Sequence, residues 1–409
     1  MNPDTPKKRR AYRLPPCPAY DVEGTESWLS DMAREGLHLA PDGFLLGFAA
    51  FERGAPAQVR YRLAASLRQP GLLDDNGGGP DPEAVELGRE MGWEYVARRG
   101  DFYPYRTARP GARELNTDPA VQAIALREVR RRRRGAALGP FFWLILFLFA
   151  LSRVGLLRSI ILAGTGFSLL AAALALWALG DSLGETVRLG RLEKKLRAGQ
   201  PPDHRKDWRK SAALHRGKGL VQLAAVLLWV GMLLHGWSLS VLEEDRIPLA
   251  DYQGDPPFAT LLDFAGGQGQ YTATMLGKGF NSVREWGDWL APYNARWSEQ
   301  ARIVRPDGTV LEGGLFLDYH KAANPWVAQE LAREYLRADL RQEGAVPLEA
   351  PSLGADYAAA CLDELGFPTV VIRKGPIVVH ASFLDFSSPQ DVRELEPWAT
   401  ILADSLGAG

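Results

Sequence analysis

A chain of 409 residues has room for two or three domains, and its net charge of −1 with 24% charged residues is that of an ordinary globular protein. Two cysteines, Cys17 and Cys361, exclude a disulfide framework. The average hides a partition. Lys plus Arg against Asp plus Glu stands at 22 to 19 over residues 1–135, 13 to 5 over 136–242 and 13 to 25 over 243–409. A basic middle beside apolar stretches, followed by an acidic tail, is the asymmetry of an inserted membrane protein.

No signal peptide is predicted. The basic Lys7–Arg10 is followed by Pro15, Pro16 and Pro18 where an apolar segment belongs. Residues 7–14 read as a short strand and 25–35 as a helix stopped by Gly36. Strands follow at 37–39, 44–51 and 58–63, the last with Val59, Tyr61 and Leu63 inward and Arg60 and Arg62 outward. The glycine-rich stretch 74–82 reads as a surface loop, 83–91 as a second helix stopped by Gly92, and 93–97 and 102–107 as strands. Residues 1–115 are therefore expected to form an α+β domain, one antiparallel sheet with two helices on one face. Its dense aromatics read as core filling, because net +3 over 1–135 is far short of a nucleic-acid footprint. No nucleic-acid partner is expected.

The stretches Glu26-Ser27-Trp28-Leu29 with Gly36, Phe51-Glu52, Tyr61-Arg62, Met91-Gly92-Trp93-Glu94-Tyr95, 102–106, Glu114-Leu115 and Thr117-Asp118 are similar to the bacterial domain-of-unknown-function family 2812. The resemblance covers about residues 10–120. It implies a cytoplasmic domain joined to several membrane spans and, from the usual gene neighbourhood, a PadR-type regulator pathway as partner. It implies no catalytic motif.

Asn116-Thr117-Asp118-Pro119 is a helix start, and 116–134 reads as a basic juxtamembrane helix. The cluster Arg130, Arg131, Arg132, Arg133 and Arg134 precedes the uncharged stretch 135–151. Further apolar stretches run over 160–180 and 219–242, and a hydrocarbon core of about 30 Å needs roughly 20 such residues. Three transmembrane helices are expected at 135–157, 158–180 and 219–242, the first two as a tight hairpin with Arg153 and Arg158 snorkelling to the outer surface. The loop 181–218, with 11 basic against 5 acidic residues, belongs with the arginine cluster on the cytoplasmic side. Arg130–Arg134, Lys194, Lys195, Arg209 and Lys210 are the expected topology anchors, with the lipid bilayer as partner. His235 is an ionisable residue inside the third span.

Residues 243–409 are then expected outside, as a second α+β domain. The glycine cluster 264–271 lacks both G-x-G-x-x-G and the P-loop lysine and reads as a loop. A helix is expected over 281–294, a hairpin of 301–304 with 309–317 around Pro306-Asp307-Gly308, and a helix over 325–342. A second hairpin, 369–372 with 377–383, turns at Gly375-Pro376, and a last helix, 389–406, is capped by Ser388. Asp318, His320 and His380 are the histidine-centred candidates for chemistry, without H-E-x-x-H, paired Cys/His spacing or G-x-S-x-G. No cofactor is expected. The expected function is that of a multi-pass plasma-membrane protein acting as a non-enzymatic sensor, regulator or membrane-complex subunit. The alternatives are a membrane-anchored outer hydrolase and a transport accessory.

Overall fold

The structure, a computed structural model, describes residues 10–45, 47–66, 79–115, 118–242, 245–266, 268–271, 281–349, 353–363, 366–385 and 395–406. The chain divides into two compact units. One is Met1–Trp143 with Leu174–Val226; the other is Leu144–Ala173 with Leu227–Gly409.

In the first unit, β1 (Arg10–Arg13) leads to α1 (Val22–Arg34), β2 (Leu37–Leu45), β3 (Phe48–Arg53), β4 (Arg60–Ala65), α2 (Pro82–Glu90), β5 (Glu94–Tyr95) and β6 (Phe102–Thr107). Asp21 caps α1 by accepting from Gly24 N at 3.0 Å, and Asp81 caps α2 from Glu83 N at 3.1 Å. Gly36 and Gly92, at φ 78° and 88°, end the two helices as anticipated, because only glycine enters that backbone region without strain. The expectation of one sheet is corrected. Two three-stranded antiparallel sheets form, in orders β1-β3-β2 and β4-β6-β5. The chain after β3 turns back onto the end of α1, with Gly54 N donating to Gly36 O at 2.9 Å and Ala57 N to Ala33 O at 3.1 Å. β4 therefore starts a new sheet. The expected strands 37–39 and 44–51 also regroup. β2 runs through Pro41-Asp42-Gly43 with a register shift between Leu39 and Phe44, and β3 is separate. Of the 74–82 loop, residues 74–78 lie outside the described residues.

Four helices follow: α3 (Pro119–Val154), α4 (Leu156–Ala163), α5 (Thr165–Arg197) and α6 (Arg209–Leu242). Residues 116 and 117 of the expected helix start lie outside the description, but Asp118 caps α3 through Ala120 N at 2.8 Å. Among the described residues two helical segments are long and apolar enough to cross a membrane, Thr165–Arg197 and Ala212–Gly236, where three spans were anticipated. At 1.5 Å per residue they reach about 50 Å and 37 Å. Stretch 135–151 is helical within α3, and most of its side chains lie outside the description. The expected second span is also corrected. Gly155 and Gly164, at φ 108° and 93°, cut out α4 as a separate eight-residue helix, so 158–163 belongs to α4 and the apolar helix begins at Thr165.

The core of the first unit joins α1 (Trp28, Leu29), β3 (Phe51) and β4 (Tyr61) to the basic helices. The α3 stem carries an apolar stripe, Ala123, Leu126 and Val129, that periodicity alone left unread; α5 adds Leu189 and Leu196. Fully burying a leucine contributes on the order of 2 kcal/mol, so these few contacts decide the docking of the stems. The aromatics fill cores as anticipated, with Trp28 edge-on to Phe51 at 5.5 Å. Trp93 is buried under the Arg60 and Arg62 guanidinium groups.

The second unit is built on a nine-stranded sheet in which every pairing is antiparallel. Its elements are β7 (Ile247–Pro248), α7 (Leu261–Ala265), β8 (Gln268–Tyr271), β9 (Ser282–Trp286), β10 (Tyr293–Val304), β11 (Val310–Lys321), α8 (Pro325–Asp339), β12 (Val346–Leu348), β13 (Tyr357–Leu362), β14 (Pro368–Lys374), β15 (Ile377–Asp385) and α9 (Leu395–Ser405). The order is β12-β13-β14-β15-β11-β10-β9-β7, with β8 also on β10. Both anticipated hairpins are present. The first is longer, pairing Tyr293 with Lys321 through to Val304 with Val310. The helix anticipated over 281–294 is instead β9 and the start of β10, because Val283 pairs with Trp297 and is buried against it in the sheet. The glycine cluster is not a simple loop: Gln268–Tyr271 pairs with β10, and residue 267 lies outside the description. The Ser388 cap lies outside the described residues, and the described part of the last helix is α9. Side chains alternate between two cores. Val370, Ile372, Val379 and Ala381 face α7 and α9, while Val371 and Val378 face α8 and α4. Both cysteines are buried and free.

Candidate functional site

The nine anticipated anchor residues are placed in the first unit, and most are engaged by other elements of that unit. Arg130 reaches Glu193 at 3.0 Å and Arg133 reaches Glu185 at 2.6 Å, both from α3 to α5. Arg132 donates to the Ser66 carbonyl and stands 4.0 Å from Asp101. Lys195 pairs with Glu23 at 2.7 Å and Arg209 with Asp31 at 3.2 Å, tying α5 and α6 to α1. Lys210 lies 3.8 Å from Asp207, and Arg131 holds Glu128 one turn back. Arg131, Arg134, Lys194 and Lys210 are exposed. Glu193 is buried, whereas exposed pairs such as Arg131–Glu128 and Lys210–Asp207 contribute up to about 1 kcal/mol each.

The residues matching the family pattern lock this domain. Glu26 is buried and accepts from Leu63 N at 2.8 Å and faces His204 Nδ1 at 2.6 Å. Trp93 Nε1 donates to Arg113 O at 2.8 Å, and Glu114 pairs with Arg62.

In the second unit the three candidates Asp318, His320 and His380 do converge, on the face of the sheet beneath α8. Asp318 and His320 alternate with the oppositely directed Leu317 and Tyr319 on β11, and β15 places His380 directly beside Asp318. Pro325 at the first turn and Asn324 as cap start α8, whose apolar face delivers Tyr335 into the same space. His320 Nδ1 lies 2.6 Å from Asn294 Oδ1, and His320 Nε2 lies 2.7 Å from the Tyr335 hydroxyl, which is 3.0 Å from Asp318 Oδ2. Asn294 already donates its amide to the Trp286 and Ala291 carbonyls, so Nδ1 of His320 carries the proton. Arg296 donates to both oxygens of Asp318 at 2.7 and 3.3 Å, and Arg158 of α4 approaches at 3.4 Å with its guanidinium over the Tyr335 ring. Arg158 was expected to snorkel into water. The buried carboxylate captures it instead. His380 stacks on Tyr335 at 4.5 Å and bonds Asp339 at 2.9 Å.

The electrostatics favour a closed structural network. Burial alone raises the Asp318 carboxyl, but the Arg296 hydrogen bond and charge, with the histidines behind, outweigh it and hold it down to about 2. Burial lowers His320 to about 4 against the pull of Asp318, with Arg158 and Arg296 adding to the drop. Both of its ring nitrogens are engaged, so it is a poor general base. Cys361, 4.0 Å from Asp339, is pushed up to about 12 by burial and that carboxylate, the reverse of what a nucleophilic thiol needs. Among the described residues no group of His, Cys, Asp or Glu is arranged to hold a metal ion.

Next to the network, two carboxylates clasp the α4–α5 connection. Glu334 of α8 accepts from Leu157 N and Arg158 N, each at 3.1 Å, capping α4 in place of the side chain that Gly155 lacks. Asp288 accepts from Thr165 N at 2.6 Å and from the Thr165 hydroxyl, capping α5, and Trp286 Nε1 donates to Ile161 O at 3.3 Å. Asn294, Arg296, Tyr335, Glu334 and Asp288 were not singled out from the sequence. The one available signal was the polar alternation Asp318–His320 on a strand otherwise buried on both faces.

The fold and this site define a protein with two mixed α/β units, each carrying part of a set of long helices, two of which, among the described residues, are apolar enough to cross a membrane. Residues 21–137 match the family described as Protein of unknown function (DUF2812), less than a third of the chain. The protein therefore carries a DUF2812 domain at its N-terminus. No curated protein and no solved structure matches the chain.

Proposed function

We propose that this is a three-span protein of the bacterial plasma membrane, N-terminal domain inside and C-terminal domain outside, that acts without catalysis as a sensor, regulator or membrane-complex subunit. The observation that carries the reading is the double grip on α5. Its first residue is held by Asp288 of the C-terminal domain, and Glu193 and Lys195 near its last turn are ion-paired to Arg130 and Glu23. A single helix that contributes contacts to both units is suited to passing a change from one to the other. α3 supplies the third span, since residues 135–151 carry no Asp, Glu, Lys or Arg. The basic charge of the 181–218 loop supports an inside position for the N-terminal domain. By family resemblance, the inner partner is a PadR-type regulator pathway.

Reporter fusions at Pro201 and Gly409 test the topology, with inside and outside signals expected; a Gly409 fusion active only in the cytoplasm sinks it. Coupling is tested by hydrogen exchange on Asp288→Ala in the full chain. The expected result is altered protection around Lys195 and α1. Changes confined to 144–173 and 227–409 would refute it.

A further inference from the structure

The first unit holds a cavity of about 1200 Å³ lined by α1, the 98–100 turn, and the charged parts of α5 and α6. Its floor carries an unusual buried cation. Arg99 is 6% exposed, and its guanidinium donates to the Cys17 carbonyl at 2.6 Å and to the Thr25 hydroxyl. Among the described residues it meets no carboxylate. Burial drops it to about 10 against the opposing pull of Cys17 and the nearby Asp21 carboxylate.

The acids that line the cavity are already engaged by other bases. Asp21 and Glu23 are taken by Lys206 and Lys195 at 2.7 Å each, and Asp181 by Lys218. Glu185 is held by Arg133 at 2.6 Å, and Asp207 lies 3.8 Å from Lys210. Every lining acid thus has a basic partner. Arg99, Arg188, Arg191 and Arg216 line the cavity without an ion pair among the described residues. Arg188 and Arg99 both act electrostatically on Cys17 and on His215. Where the cavity reaches Gly180 on α5 and Gly219 on α6, the charged parts of both helices give way to their apolar stretches. Phe48 and Leu214, both lining residues, are exposed apolar side chains in the same region.

We propose that this cavity is a binding site for a phosphate-bearing anion, Arg99, Arg188, Arg191 and Arg216 taking the phosphate. Guanidinium forks match phosphate oxygens, and a low-dielectric floor strengthens each contact. The apolar boundary favours the headgroup of an anionic phospholipid, and this choice of source rests on the membrane reading above. The phosphate chemistry itself does not, so a soluble phosphate is the other source to separate.

The test uses the full-length protein in phosphatidylcholine nanodiscs, with and without a minority of phosphatidylglycerol. Native mass spectrometry reads the retained lipid, and a separate arm reads protection of the first unit from thermal unfolding by millimolar inorganic phosphate at matched ionic strength. The comparison is the triple variant Arg188→Gln, Arg191→Gln, Arg216→Gln, chosen because all three side chains are exposed and the buried Arg99 is left in place. Phosphatidylglycerol is expected to be retained at least about tenfold over phosphatidylcholine by the wild type and not by the variant. Protection by inorganic phosphate alone, lost in the variant, keeps the site and assigns it a soluble ligand. Equal retention of both lipids with no phosphate protection, or identical behaviour of wild type and variant, overturns the proposal.

Discussion

Acidification is expected to loosen the C-terminal domain through His320. In the unfolded chain this histidine protonates near its ordinary 6.5, whereas in the fold burial holds it to about 4. A group lowered on folding contributes stability that is complete above the unfolded value and is lost as the pH falls towards the folded one. The window is therefore about pH 6.5 to 4. A gap of about 2.5 pH units at about 1.4 kcal/mol each gives on the order of 3 kcal/mol. Hydrogen bonding does not block the charged form, since a proton on Nε2 would turn the Tyr335 hydroxyl to Asp318 at 3.0 Å. The cost is electrostatic. Desolvation and two guanidinium groups, Arg158 and Arg296, outweigh one carboxylate. Thermal melting of the full chain, followed by tryptophan fluorescence, should show the C-terminal transition falling by about 10 °C between neutral pH and pH 4, at roughly 2–4 °C per kcal/mol for a domain of this size. His320→Gln removes the titrating group. If that variant loses stability with pH as steeply as the wild type, the reasoning is refuted.

Three further outcomes are expected. Glu334→Ala removes the acceptor of the Leu157 and Arg158 amides and should cost about 1 kcal/mol, read as faster exchange of those two amides; unchanged exchange would show that α4 is held otherwise. Trp28→Ala empties the centre of the N-terminal core and should cost about 3–5 kcal/mol in chemical denaturation of the first unit, with the second unit's transition unmoved. Gly313→Ala places a Cβ 2.5 Å from the Leu384 carbonyl and should destabilise the β11–β15 pairing by about 1–3 kcal/mol; a neutral result in urea unfolding would mean that the strands separate freely.

Local signals are legible where the physics is local. The turn at Asp307-Gly308 and the one at Gly375 set both hairpins, since positive φ at Gly308 (85°) and Gly375 (58°) is a glycine property. Gly36 and Gly92 stopped their helices for the same reason. Residues 281–294 failed because their apolar spacing fits a helix in isolation, and only pairing of Val283 with Trp297 and Ile247 makes them a strand. The site was legible in part. Asp318, His320 and His380 were visible as residue types, but Asn294, Arg296 and Tyr335 reach them from other elements, up to 24 positions from Asp318.

The amino-acid sequence by itself determined where uncharged stretches run, where charge of each sign accumulates and where glycine must turn the chain. Those properties follow from composition over a few turns of backbone. Only the tertiary structure decided what the charges do. Arg130 and Arg133, legible as a cationic run, are spent on Glu193 and Glu185 of α5. Arg158, legible as an interfacial arginine, is drawn to Asp318. Which carboxylate a cation finds depends on elements folded from distant parts of the chain, and no local pattern encodes that distance.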